Sequence, residues 1–180
     1  MFSDGVIAII ITLLILEIKL PELTADNFWL LARHIAVYAL SFIAIAITWL
    51  NHHNMFLPAE KVNTKIIWLN FSLLFFMSLI PLATEPLGEH FFQKESHIFY
   101  GVVLAGVSLT YTLLQISVYK TLAHVSIKDK KHINKINWAA TVFYALAAPL
   151  SCISVYLSTA IFIMFPVIYF IPSKRLSHVG

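Results

Sequence analysis

Charge is scarce in this chain. Asp, Glu, Lys and Arg make up 12% of its 180 residues, about half of what a soluble domain carries. With 59% hydrophobic residues and a mean hydropathy of +0.83, that scarcity excludes a water-soluble globular domain and indicates an integral membrane protein. Cysteine is nearly absent as well. The single Cys152, inside an apolar stretch, rules out an intrachain disulfide and a cysteine-based metal cluster, and leaves the redox compartment open. No G-x-S-x-G, P-loop or G-x-G-x-x-G motif occurs. Ser3 and Asp4 are sequence neighbours facing different directions, so they do not form a nucleophile–base pair, and an enzyme is not expected. The N-terminus lacks a basic n-region and a small-residue cleavage site, so a secretory signal peptide is not expected. No internal repeat is evident, which leaves an inverted-repeat transporter without support. A pore on a symmetry axis would have to come from several copies of the chain.

What the chain does contain is apolar runs. Six can be read, at about 2–18, 34–57, 64–86, 96–119, 134–150 and 152–171, each near the length of one membrane crossing. They predict a single all-α, six-span domain over 1–180. The last two are divided at Pro149-Leu150-Ser151, where proline and serine favour a tight hairpin; one long re-entrant segment is the alternative. Loop charge then sets the orientation. With the N-terminus in the cytoplasm, Lys61, Lys65, Lys120, Lys128, Lys130, Lys131, Lys135, Lys174 and Arg175 lie inside, nine of the twelve basic residues. Lys19, Arg33 and Lys94 fall outside, with Glu17, Glu22, Asp26, Glu85, Glu89 and Glu95. The positive-inside rule therefore places both termini in the cytoplasm of a multi-pass protein. The basic residues are few and sit in loops, so the pI near 9.0 does not signify nucleic-acid binding. Lys128 to Lys135 suit contact with anionic lipid, and Trp29, Trp49, Trp68 and Trp138 read as interfacial anchors.

The first run carries the sharpest pattern. A carboxylate at the edge of a membrane segment needs a partner or a duty. On a helix at about 100° per residue, Leu13, Leu16, Thr12, Gly5 and Phe2 fall within about 60° of Ile9, whereas Ser3 and Asp4 sit at about +120° and −140°. The polar pair is thus expected to bond to neighbouring helices of its own chain, leaving the aliphatic stripe free for a partner subunit or an axis. Lipid contact or ordinary packing is the plainer reading of such a stripe. The eight histidines raise a metal or proton hypothesis. His52 and His53 are adjacent, so they point about 100° apart and cannot readily chelate one ion; no H-x-x-x-H spacing accompanies them, and no metal site is expected. A pH-sensing role for Asp4 with His52 and His53 is the better use of those rings. His124 and His132 beside the lysine-rich loop read as solvated.

The string FSDGVIAIIITLLILEIKLP resembles the first-helix signature of the bacterial members of the transmembrane protein 175 family, potassium-permeable channels whose animal relatives sit in endosomes and lysosomes. Trp49-Leu50-Asn51-His52-His53 is similar to the family's Trp-x-x-His element, and Asn70 to its third-span Asn. The motifs cover roughly residues 1–90; beyond them the agreement is in span count, loop charge and length. The resemblance implies a homotetramer of six-helix subunits in the cell membrane, first helices around a central pore, passing potassium ions without a cofactor. It implies a constriction at Ile9, Leu13 and Leu16 with Thr12 as a pore-facing hydroxyl. It also implies a polar network of Ser3, Asp4, Trp49, His52 or His53, and Asn70 tying three helices together. The family's basic residue four positions before the Phe would fall ahead of the first residue given: either the true start lies further upstream, or the cation is absent and Asp4 loses that ion-pair partner. Only five glycines and no TVGYG-like run are present, so a filter of carbonyls is not expected. An apolar ring offers an ion no ligands. Passage then depends on stripping or squeezing water, which favours potassium modestly, and gating can come from dewetting as the first helix rotates. Glu17 near the outer mouth would concentrate cations or simply be solvated. The alternative is a proton-coupled secondary transporter using Asp4 and His52/His53 as a relay.

Overall fold

The computed structural model describes residues 2–18, 24, 27–59, 62–122 and 127–170, with side chains for all of these except 127–133 and 168–170. Among them the chain is all-helical, with no strand: α1 (Phe2–Leu16), α2 (Phe28–Phe56), α3 (Thr64–Glu89), α4 (Lys94–Thr121), α5 (Ile127–Ser151) and α6 (Val155–Phe170). Lys19, Glu22, Asp26, Lys61, His124, Lys174, Arg175 and the end of the sixth apolar run at 171 lie outside the described residues, as do the side chains of Lys128, Lys130, Lys131 and His132.

Each apolar run overlaps one helix, but helices and runs do not share boundaries. α2 begins at Phe28 rather than near 34, and α5 at Ile127 rather than near 134. In α2 the apolar Phe28 to Ala32 continue the helix past the lone Arg33, and in α5 the charged first turns remain helical because Lys is a good helix former. In α2 the early turn has a task. Arg33 Nε donates to the Gly88 carbonyl at 2.9 Å and its Nη2 to the Glu89 carbonyl at 3.1 Å, satisfying acceptors at the end of α3. The Asn63 side chain accepts from Ile66 N at 3.0 Å and starts α3. The α5–α6 hairpin turns at Cys152–Ser154, just past the proline and serine, with Ile153 N and Ser154 N both bonded to the Leu150 carbonyl.

Packing runs in sequence order. α1 lies on α3 and α2, α3 on α4, α4 on α5, α5 on α6, and α6 closes back on α2 and α4. α1 makes no such packing with α4, α5 or α6 among the described residues, so it stands at one edge of the bundle. Ser41 Oγ lies 2.8 Å from Thr84 Oγ1 and 2.9 Å from Tyr100 Oη, a buried hydroxyl cluster pinning α2, α3 and α4. At Gly106 an added Cβ would meet the Phe76 ring at 2.2 Å, so the close approach of α3 to α4 requires glycine there. By length and composition α2, α3 and α4 are each sufficient to cross a membrane; α1 and α6 are shorter apolar helices. At 15 residues, α1 is about 22 Å long against a hydrocarbon core of about 30 Å.

Candidate functional site: the bracketed first helix and its open face

Three helices meet at the start of α1. Trp49 Nε1 donates to Asp4 Oδ1 at 2.9 Å, joining α2 to α1. Asn70 Nδ2 donates to Ser3 Oγ at 2.9 Å, joining α3 to α1. With its amide nitrogen so committed, Asn70 presents Oδ1 to His52 Nε2 at 2.7 Å, so that ring nitrogen carries the proton and donates. Rings close the cluster. Phe2 meets Phe71 edge-on at 5.9 Å, and His52 lies 4.8 Å from Phe56. Every polar bond here links different helices, and a lost partner would leave a polar group facing apolar surroundings.

The two adjacent histidines separate. His52 is buried and bonded to Asn70, whereas His53 is exposed and lies against the Trp49 ring at 5.6 Å. Asn70, not Asp4, is the hydrogen-bond partner of His52. A carboxamide thus stands where a continuous histidine–carboxylate relay would need a titratable group. Trp49, read from the sequence both as an anchor and as a network member, has its indole N–H on Asp4. Trp29 and Trp68 are exposed, at 79% and 67%.

Fixing Ser3 and Asp4 fixes the roll of α1. Ile7, Ile10 and Leu14 are buried in the bundle core. Ile9, Leu13 and Leu16 are exposed, at 59%, 46% and 76%, together with Phe2 and Thr12. Thr12 Oγ1 donates to the Ile9 carbonyl at 2.8 Å, so its proton is used within the helix and its lone pairs face outward. A subunit therefore presents one continuous aliphatic stripe with a single acceptor oxygen beside it. At the far end of α1, half-buried Glu17 lies beside His34, Glu85 and Glu89 around a small cavity. From the sequence only Glu17 stands out; its neighbours come from α2 and α3 with no spacing that announces the group. Among the described residues no three His, Cys, Asp or Glu side chains converge as metal ligands.

A family model described as endosomal/lysosomal potassium channel TMEM175 matches residues 1–81, the part of the chain holding α1, α2 and most of α3. Over nearly its whole length the chain is 36% identical to a protein named potassium channel from Chryseobacterium sp. (strain P1-3), covering 97% of this chain and 92% of that one. It is 30% identical to a protein named potassium channel from Chamaesiphon minutus, over 89% of this chain and 86% of the other. The crystal structure of a lysosomal potassium-selective channel TMEM175 homolog from Chamaesiphon minutus superposes with a TM-score of 0.78 at 26% identity, covering 93% and 92% of the two chains.

Proposed function

This chain belongs to the TMEM175 family, and on that premise we propose that it is the subunit of a potassium-preferring cation channel. All six helices cross the cell membrane with both termini in the cytoplasm. Four copies gather their first helices around a common axis, and Ile9, Leu13 and Leu16 form the narrow part of the pathway. The observation that carries this reading is the exposed stripe itself. An apolar face beside a polar bracket that prevents the helix from rolling needs a partner of its own, and a ring of identical faces is one. Loop charge supports the orientation.

In such a ring the ion meets no ligands at Ile9. The barrier is the work of shedding or deforming hydration water, and potassium holds its water less tightly than sodium. Thr12, one turn on, turns an acceptor oxygen toward the axis where that water is strained. Ser3, Asp4, Trp49, His52 and Asn70 act one layer back: they set the rotation of α1, and with it how far Ile9 and Leu13 reach. Small changes in that rotation wet or dry the ring, which provides a gate. A proton-coupled transporter built on Asp4 and His52/His53 is the competing mechanism; the Asn70 carboxamide between His52 and Ser3 speaks against a proton relay there.

Planar-bilayer recording of purified protein, with potassium on one side and sodium on the other, tests the proposal. A channel of this kind gives unitary currents with a potassium-favouring reversal potential, which moves toward zero in Ile9→Asn. A flux that follows the pH gradient, vanishes in Asp4→Asn and ignores Ile9→Asn supports the transporter instead.

A further inference from the structure

Away from α1, a cavity of about 70 Å³, open on one side, lies between α2, α4, α5 and α6. Its lining is graded along the helix axes. Asn51 of α2, Tyr111 of α4 and Asn137 of α5 line one end; Ala44 and Leu104 line the other beside Tyr144, with Thr48, Ser108 and Ala140 between. The polar end is braced from behind. Asn137 Nδ2 donates to Gln115 Oε1, and Gln115 Nε2 donates to Tyr111 Oη at 3.2 Å and Tyr119 Oη at 3.3 Å, with Gln115 and Asn137 both buried. The Asn51 carboxamide makes no hydrogen bond among the described residues. That half-buried amide faces the cavity and is open to a partner there.

Among the described residues no Asp, Glu, Lys, Arg or His lines the cavity, so a charged ligand would enter without a counter-charge and is disfavoured. The combination of apolar walls with a few fixed polar groups is typical of sites for small amphiphiles. We infer that this cavity binds small uncharged amphiphiles of the medium-chain alkanol class, the hydroxyl at Asn51 and Tyr111 and the hydrocarbon toward Ala44 and Leu104. Occupancy bears on α2, whose neighbouring face, about 100° around, carries Trp49 and His52 and so the bracket on α1. Regulation by this route rests on the channel reading above; binding does not.

The test uses the full chain in lipid nanodiscs with a diazirine-bearing octanol, adducts mapped by mass spectrometry. The expected result is saturable labelling of Tyr111, Asn137 or Tyr144, competed by plain octanol. Labelling falls at least tenfold (about, by loss of the site) in Ala44→Phe, which fills the apolar end. In Asn51→Leu half-saturation moves to severalfold higher concentration, and this variant decides the matter if Ala44→Phe does not fold. Labelling that never saturates, spreads over the exposed Phe75 and Leu82, or ignores both variants overturns the site. A phospholipid that copurifies in the cavity and blocks the label overturns the ligand class. Octanol should also change potassium flux in liposomes of the parent protein and leave Ala44→Phe unchanged. Saturable labelling in a protein without potassium flux sinks the channel reading alone; normal flux without saturable labelling sinks this site alone.

Discussion

The two faces of α1 are made of the same residues and have opposite surroundings. Ile7, Ile10 and Leu14 are 1%, 3% and 0% exposed, whereas Ile9, Leu13 and Leu16 are open to whatever adjoins the subunit. Hydropathy cannot tell Ile9 from Ile10. The difference comes from four polar side chains at the start of the helix: two interhelical bonds, to Ser3 and Asp4, choose which face turns inward. Where aliphatic residues surround a helix, a few hydrogen bonds decide its orientation, and in the proposed pore they decide what an ion meets.

That contrast is broken most forcefully from the buried side. Leu14→Ala removes a fully buried side chain and is expected to cost about 2–5 kcal/mol, while Leu13→Ala, one residue earlier, costs roughly 1 kcal/mol or less. Thermal unfolding of the two purified variants reads the gap directly; equal losses would place both faces in packed surroundings. Asn70→Leu strands Ser3 and His52 together and should lower stability by about 1–3 kcal/mol, with altered open probability in bilayers because α1 loses one of its two restraints. A stability loss without any change in gating would reduce the bracket to a plain packing device. Gly106→Ala in the other half forces Phe76 aside at a cost of about 1–3 kcal/mol, recovered in part by the double variant with Phe76→Leu. Gly106 touches none of the residues that bracket α1 and is separated from it by α3, so selectivity should match the parent; a changed reversal potential would show that α3 transmits the strain to α1. The smallest effect is expected from Thr12→Val, which keeps the shape of the side chain and removes the outward oxygen. Potassium conductance should fall by about two- to fivefold, the scale of one neutral hydrogen bond. Unchanged conductance would remove Thr12 from the ion's path.

Much of α1 was legible in advance because its information is local. Eight residues on one wheel, Ser3 and Asp4 among them, separate the polar pair from the aliphatic stripe, and helical geometry does the rest. The choice between His52 and His53 was not legible. Both could reach α3 or α1 from the sequence, and only the packing angle of α2 gives Asn70 to one and the Trp49 ring to the other. The starts of α2 and α5 were hidden for a different reason: a single Arg33 interrupts an apolar stretch that begins at Phe28, and the lysine-rich first turns of α5 remain helical where the apolar signal ends. Least visible was the polar core between α4 and α5. Tyr111, Gln115 and Asn137 come from two separate runs, and no spacing announces that they converge.

The most direct test of the account is thiol accessibility on α1. With Cys152→Ser as background, the chain has no other cysteine. Single cysteines at Ile7, Ile9, Ile10 and Leu13 are then exposed to a water-soluble cationic thiol reagent while potassium current is recorded. The account predicts rapid block at Ile9→Cys and Leu13→Cys and none at Ile7→Cys or Ile10→Cys. Block at the buried pair, or protection of the exposed pair in a conducting protein, would place the ion path elsewhere than along this face.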